Sequence, residues 1–292
     1  MTEKLLFDTD IGSDIDDAVA LAYLLARPEC ELLGITTVSG KPIERAKIAS
    51  AICRVAGADI PIYPGIEAPL SGVTRQPEVP QARALGRWPH ETQFTEGRAI
   101  DFLREMIRAH PGEITLLAVG PMTNIAALFD ADPEIPGLLK QLVMMIGHFT
   151  EADDRGEWNS YCDPDAAAKV FETETNNARS IGLDVTRQVV LTPDETRSRF
   201  KAPLLQPVRD FAEVWFSADN PRPLTFHDPL AAVVVFEPEL CGYDRGDVTV
   251  SIDQDFGPGV TGFQRSPSGR YLVGATIKAD AFFQHYFDVL EA

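Results

Sequence analysis

The stretch that decides the fold is "FDTDIGSDIDDAVALAYLLA", Phe7 to Ala26, which continues the apolar run "KLLF". Its second half, from Ala18 onward, is apolar and reads as a buried helix. Its first half places five aspartates within ten residues, between the strand-like run and the helix. So much like charge at the junction of two elements requires an explanation beyond the fold.

Short apolar runs alternate with helical patterns along most of the chain. The strand-like runs are "KLLF", Leu32–Val38, Ile114–Val119 and Leu142–Ile146, and the helical patterns cover Ala18–Ala26, Ile43–Ala56, 96–109, Met122–Phe129 and Pro164–Phe171. Alternation of this kind is typical of a parallel sheet covered by helices. The sequence therefore predicts an α/β fold, a single open, mainly parallel sheet with helices on both faces, and one domain over residues 1–292.

Two segments interrupt this alternation of strand-like runs and helical patterns. Residues 61–90 carry six prolines and are predicted to be an irregular loop, and residues 217–229 form a second proline-broken segment before the apolar helix "LAAVVVF". The aspartate cluster, "TTVSGK", "AVGPMTN" and "MMIGHF" each follow a strand-like run. Because ligands bind at the carboxyl ends of strands in open parallel sheets, these four loops predict one binding edge.

Composition narrows the range of partners and of cellular compartments. The chain has 26 basic against 44 acidic residues and a formal charge of -18, which disfavours nucleic-acid polymers and anionic membranes. The four cysteines are widely spaced, as in reduced cytosolic proteins. No stretch approaches the roughly 20 apolar residues of a membrane span. We therefore expect a cytoplasmic protein.

The five aspartates allow two interpretations. Asp14 can cap the helix with Asp17 as its capping-box partner, since acids in a first turn complement the helix dipole. Asp8 and Asp10 gain nothing from the helix, and crowding five carboxylates costs several kcal/mol unless positive charge lies among them. A bound cation removes this conflict. Oxygen ligands without nearby His or Cys favour calcium or magnesium over zinc.

The stretch "DTDIGSDIDDA" resembles the N-terminal D-x-D-x-G-x-D-D-A motif of the inosine-uridine type nucleoside hydrolases. Four further blocks match that family in the same order: "HPGEITLLAVGPMTNIAAL", "EWNSYCDPDAA", "GLDVTRQVVLTP" and "FHDPLA". Members of the family bind calcium and cleave the N-glycosidic bond of ribonucleosides. The resemblance implies a Rossmann-like fold, a nucleosidase active in purine or pyrimidine salvage, and a homodimer or homotetramer.

The resemblance also implies a metal site and a catalytic base. Its calcium ligands are the carboxylates of Asp10, Asp17 and Asp228 and the backbone carbonyl of Thr123. Asp16 is the implied general base. The family has one residue between the glycine and the aspartate pair, whereas this chain has three, Ser13, Asp14 and Ile15, so Asp14 stays as the alternative base.

Substrate contacts follow from the same blocks. The implied substrate-binding residues are Asp16, Lys41, Met145, Glu157, Asn159, His227 and Asp228. Glu157 and Asn159 match an element that binds the ribose hydroxyls, and Lys41 stands where the family has an asparagine. His227 is the first candidate to protonate the leaving base, and His90 and His148 are weaker candidates. The aromatic side chains considered for stacking on the base are Trp88, Phe149, Trp158, Trp215 and Phe226.

The sequence thus predicts hydrolysis of ribonucleosides to ribose and free base by a calcium-bound water that an aspartate activates. Two alternatives remain. One is a calcium-dependent nucleoside- or ribose-binding protein that has lost catalysis. The other is a D-x-D magnesium phosphotransferase, which explains neither "EWN" nor "HDP".

Overall fold

One central sheet organises the fold of the computed structural model, which describes residues 2–150, 155–217, 222–254 and 257–291. The strands are β1 (Glu3–Thr9), β2 (Cys30–Thr37), β3 (Ile62–Pro64), β4 (Ile114–Ala118), β5 (Gln141–Met144), β6 (Ala178–Ser180), β7 (Val190–Leu191), β8 (Leu224–Thr225), β9 (Cys241–Val250), β10 (Thr261–Arg265) and β11 (Tyr271–Ile277). Within these ranges, nine strands form the sheet in the order β10-β9-β11-β6-β5-β4-β1-β2-β3. All neighbours from β11 to β3 pair in parallel, and β9 pairs antiparallel with both β10 and β11.

Helices connect most of these strands. They are α1 (Asp16–Ala26), α2 (Pro42–Val55), α3 (Ala99–Ala109), α4 (Thr123–Ala131), α5 (Ile135–Leu138), α6 (Trp158–Cys162), α7 (Pro164–Glu172), α8 (Leu183–Thr186), α9 (Pro193–Arg199), α10 (Leu205–Phe216), α11 (His227–Phe236) and α12 (Ala279–Glu291), with 3₁₀ helices at Pro80–Arg87 and Pro238–Leu240. Among the described helices, none combines the length and the hydrophobicity needed to cross a bilayer.

Helices cover the sheet on both faces, and β1 shows why. Successive side chains of a strand point to opposite faces. Leu5 and Phe7 therefore join the core beneath α1, α2, α10, α11 and α12, whereas Leu6 joins a second core beneath α3, α4 and α7. The α/β fold with a mainly parallel sheet and helices on both faces is thus confirmed. The interpretation of residues 1–292 as one domain stays a prediction.

Both proline-rich segments contain more regular structure than we expected. Residues 61–90 include β3 and the 3₁₀ helix Pro80–Arg87, because proline is accepted in the first turn of a helix. Helix α11 begins at His227, three residues before the apolar run, since Pro229 also lies in a first turn. Part of the second segment, residues 218–221, lies outside the described residues.

Candidate active site

A cavity of about 940 Å³ opens at the carboxyl ends of β1, β4 and β5. Eight of the predicted site residues line it: Asp10, Asp16, Asp17, Met145, Glu157, Asn159, His227 and Asp228. They come from loops and helix starts that lie up to 218 positions apart in the sequence (228 minus 10). The fold therefore brings most of the predicted site into one space.

The aspartate cluster forms the floor of this cavity. Carboxylate oxygens of Asp14, Asp16 and Asp17 lie within 4.8 Å of one another, and Asp16 and Asp17 are almost fully buried. Helix α1 begins at Asp16, its N-cap position is Ile15, and no side chain caps it. The capped-helix interpretation, with Asp14 as N-cap, is therefore wrong. The acids stand at the helix start without capping it.

Burial and mutual repulsion perturb all of these carboxyls. Desolvation raises the pKa of Asp16, Asp17 and Asp228 well above the ordinary range, and neighbouring aspartates raise it further. The pKa of Asp14 rises to about 6 for the same two reasons. A cation among these oxygens would offset both effects. Because the three converging groups are all carboxylates, the donor set fits a hard, oxygen-preferring ion.

Asp10 is oriented by groups from three other segments. Its Oδ2 accepts a hydrogen bond of 2.7 Å from Gln76 Nε2, and its backbone carbonyl accepts one from the buried guanidinium of Arg45. A Cβ on Gly120 would lie 2.9 Å from the Asp10 nitrogen and 3.0 Å from its Oδ1, so only glycine allows the loop after β4 to approach so closely. The carboxylate is thereby fixed at the edge of the aspartate cluster.

Asp8 lies behind the cavity and braces its loop. Oδ1 accepts hydrogen bonds from Thr36 Oγ1 at 2.5 Å and from Asn124 Nδ2 at 2.7 Å, which ties β1 to β2 and α4. Oδ2 is buried without a partner among the described residues. Burial raises the pKa of this carboxyl to about 7. Asp8 therefore supports the loop and does not line the cavity.

The "EWN" segment forms a wall next to the aspartates. The Glu157 carboxylate caps α6, accepting backbone N–H groups from Asn159 at 2.9 Å and from Gly147 and Ser160 at 3.2 Å each. Burial nevertheless raises the pKa of Glu157 to about 7. Asn159 donates its amide to the carbonyls of Val119 at 2.6 Å and Met145 at 3.0 Å, which fixes its orientation beside the cavity.

The start of α11 forms a third side of the cavity. The backbone N–H of Asp228 donates to Asp16 Oδ2 over 3.1 Å, which links the two helix starts. His227 Nδ1 lies 2.7 Å from Thr186 Oγ1. Burial, together with nearby Arg187, lowers the pKa of His227 to about 4. The imidazole is therefore neutral at pH 7.

Two of the implied site residues do not line the cavity. Lys41 lies outside the lining, but its ammonium bonds Oε2 of Glu78, a residue that does line the cavity, at 2.5 Å, and 46% of the Lys41 side chain is exposed. Thr123 begins α4, and its hydroxyl donates to Asp163 Oδ2 at 2.6 Å. His90 and His148 also lie outside the cavity lining. A role for Lys41 in substrate binding stays a prediction.

The aromatic candidates divide into two groups. Trp158 and Trp215 line the cavity, whereas Trp88, Phe149 and Phe226 do not. Phe226 instead packs against α12, with ring centroids 5.9 Å from Phe282, 5.2 Å from Phe283 and 5.3 Å from Tyr286. It belongs to the core directly behind His227.

Gln76 and four arginines are lining residues that the sequence did not single out. Arg75, Arg155, Arg187 and Arg222 stand around the cavity. Gln76 lies in the proline-rich loop and is buried against Asp10. Its local sequence pattern does not indicate a functional role. The only available signal was the length of that loop, which favours function or disorder.

Known proteins share this architecture. Residues 5–284 match the family model described as inosine-uridine preferring nucleoside hydrolase. The chain is 32% identical to uridine nucleosidase 1 of Arabidopsis thaliana over 85% of its length and 78% of that protein. It is 30% identical to the inosine-uridine preferring nucleoside hydrolase of Leishmania major over 100% of its length and 98% of that protein.

A solved structure agrees with these relatives. The purine-preferring ribonucleoside hydrolase from Gardnerella vaginalis superposes with a TM-score of 0.83 at 26% identity, covering 99% of this chain and 98% of that one. The Rossmann-like arrangement is thus shared over the whole sheet. On the family match and these likenesses, the chain belongs to the inosine-uridine preferring nucleoside hydrolase family and is a hydrolase of N-glycosyl bonds.

Proposed function

We propose that this protein hydrolyses ribonucleosides to ribose and free base in a calcium-dependent reaction at the cavity. The observation that carries the proposal is the meeting of the aspartate floor, the "EWN" wall and His227 around one space. A ribosyl group requires negative charge beneath its anomeric carbon, groups that hold its hydroxyls, and a contact for the departing base. Each of these has a counterpart among the lining residues.

Asp10, Asp17, Asp228 and the backbone carbonyl of Thr123 are the proposed calcium ligands. Calcium, when bound, would supply positive charge that orients sugar hydroxyls and makes water easier to deprotonate. Support comes from the buried carboxylates, whose raised pKa values indicate a shortage of positive charge. Asp14 is the alternative ligand or base, because it belongs to the converging group with Asp16 and Asp17.

Asp16 is the proposed general base. Its Oδ2 accepts the Asp228 N–H, which leaves Oδ1 to take a proton from the attacking water. The surrounding acids stabilise positive charge that develops on the ribosyl ring as the base leaves. One oxygen of the Asp16 carboxylate thus positions the group, and the other accepts the proton.

Glu157, Asn159 and Met145 are the proposed ribose contacts, and His227 the contact of the leaving base. Since His227 is neutral at pH 7, it acts through a ring N–H hydrogen bond and not as an imidazolium. When the Thr186 hydroxyl donates to Nδ1, the N–H hydrogen of the neutral imidazole is on Nε2 and is available to the cavity. The leaving base is then stabilised as it accumulates negative charge.

A homodimer or homotetramer in the cytoplasm completes the proposal. The four cysteines form no disulfide, which supports a reducing compartment. Light scattering of the purified chain measures its assembly state. Lys41 stays a proposed contact at the edge of the cavity, since its ammonium bonds Glu78, a lining residue, and would meet only a substrate that extends to Glu78.

The test is a panel of ribonucleosides incubated with the protein and calcium, with released reducing sugar as the readout. We expect sugar release that a chelator abolishes and that calcium restores. Calcium binding without sugar release from any nucleoside would favour the binding protein. Phosphate release from phosphomonoesters would favour the phosphotransferase.

A further inference from the structure

Gln76 joins the aspartate floor to the "EWN" wall of the cavity. Its Nε2 donates to Asp10 Oδ2 at 2.7 Å and also to Ser13 Oγ. Its Oε1 accepts from Trp158 Nε1 at 3.0 Å and from Cys162 Sγ at 3.6 Å. Both donor hydrogens and both acceptor positions of the amide are thus used, and the side chain is 6% exposed.

The chemistry of its partners fixes the orientation of this amide. An indole N–H can only donate, and an ionised carboxylate can only accept. Oε1 must therefore face Trp158, and Nε2 must face Asp10. A reversed amide would place Oε1 against the Asp10 carboxylate and Nε2 against the Trp158 N–H, two unfavourable contacts, so the observed arrangement is the one these partners favour.

The backbone around Gln76 is held as closely as its side chain. A Cβ on Gly40 would lie 2.3 Å from the Gln76 carbonyl oxygen, so the proline-rich loop packs directly on the β2–α2 turn. Ser13 Oγ, the second acceptor, also receives a hydrogen bond of 3.0 Å from Arg45. Both the backbone of Gln76 and its Ser13 partner are thus held by further contacts.

We propose that Gln76 is a positioning residue that orients the Asp10 carboxylate toward calcium and holds Trp158 as a wall for the substrate. The inference rests on the proposed function for the identity of the ion. The amide bonds Oδ2 while Oδ1 lies close to Gly120, so the contact with Gln76 helps to fix the rotation of the Asp10 carboxylate. Partners of this kind behind a metal ligand typically set metal affinity or activity by about 10–100-fold.

Calcium binding to the chelator-treated full chain, measured by titration calorimetry, tests the bridge directly. We expect Gln76→Met, similar in size but without the amide, to raise the calcium Kd by about 10–100-fold. Gln76→Asn, whose amide is one methylene short of Asp10, is the second variant should methionine perturb folding, and we expect it to weaken binding too. Trp158→Phe removes the indole donor yet keeps the bond to Asp10, so its calcium Kd should not change while its KM for a nucleoside rises.

Gln93→Met, at an exposed glutamine away from the cavity, is the matched control and should bind calcium as the wild type does. Wild-type calcium affinity in a folded Gln76→Met or Gln76→Asn variant overturns the inference. Equal weakening by Trp158→Phe also overturns it, because loop packing alone would then explain the effect, and so does a wild-type chain that binds no calcium. If calcium binding follows the expected order but no ribonucleoside is cleaved, the proposed function fails and the positioning role stands.

Discussion

The β1–α1 and β2–α2 loops leave adjacent strands at the same level, because Thr9 and Thr37 are register partners. The first loop lines the cavity with buried carboxylates, whereas the second ends in Lys41, whose side chain is 46% exposed. Backbone conformation also differs between them, because Ser39 and Lys41 both have positive φ, 73° and 57°. A place at the carboxyl edge of the sheet is therefore not sufficient to join the site.

The largest expected difference between the two loops is in catalysis. Asp16→Asn removes the proposed base without changing shape and should lower kcat by about 10²–10⁴-fold. Initial rates of sugar release at saturating nucleoside measure this effect. Asp59→Asn, at an exposed carboxylate outside the cavity, is the control. Retained activity in Asp16→Asn would transfer the role of base to Asp14, which the same substitution at that residue then tests.

Stability should also depend on how the first loop is built. Gly12 has φ of 116°, and a Cβ there would lie 2.5 Å from Val79 Cγ1 and 2.7 Å from Ile48 Cδ1. We expect Gly12→Ala to lower the free energy of unfolding by about 2–4 kcal/mol, combining backbone strain with overpacking. Urea denaturation measures it. Gly57→Ala, at φ of 67° with open space around it, isolates the strain and should cost about 1–2 kcal/mol. Equal losses at both glycines would contradict the crowding around Gly12.

The pH dependence of stability should reveal the buried carboxylates. The folded state raises the pKa of Asp14 from 3.8 to about 6, so between these values it holds a proton that the unfolded chain releases. Stability of the chelated protein therefore falls as pH rises from 4 to 6, by about 1–3 kcal/mol from this group. Asp14→Asn should remove this part of the fall in stability with pH. Saturating calcium should offset the same fall in the unsubstituted protein. A slope unchanged by the substitution contradicts the assignment.

The smallest effect is expected in the second loop. Lys41→Met breaks an ion pair whose side chains are 46% and 70% exposed, and such pairs contribute about 0–1 kcal/mol. We expect kcat/KM for uncharged nucleosides to stay at the wild-type value. A loss comparable with that of Asp16→Asn would show that Lys41 reaches the substrate after all.

Local pattern predicted the elements better than the contacts between them. The alternation of apolar runs located β1, β2, β4 and β5 to within about two residues, because buried parallel strands are continuous apolar segments. The motif blocks likewise identified Glu157 and His227, which do line the cavity. Gln76 escaped notice because its role depends on side chains 66 residues before it and 82 after it, and no periodicity records such contacts.

Lys41 is the reverse case, a residue that the sequence indicated but that does not line the cavity. Its alignment with a family asparagine implied a site role, but side-chain direction depends on a φ that the residue type does not specify. Lysine at positive φ is uncommon, so alignment alone gave no warning of this backbone conformation. At such residues, the place in a sequence motif does not determine where the side chain lies in the structure.

The packing of Phe226 connects the active site to helix α12, which lies outside the cavity. Helix α12 holds Phe226 next to His227 and Asp228, and its Tyr286 hydroxyl donates to the Val19 carbonyl at 2.9 Å, just after Asp16 and Asp17. One helix thus braces both helix starts that the 3.1 Å Asp228–Asp16 bond brings together. None of the described residues of α12 lines the cavity. The geometry of the acidic floor therefore depends in part on a helix outside the site.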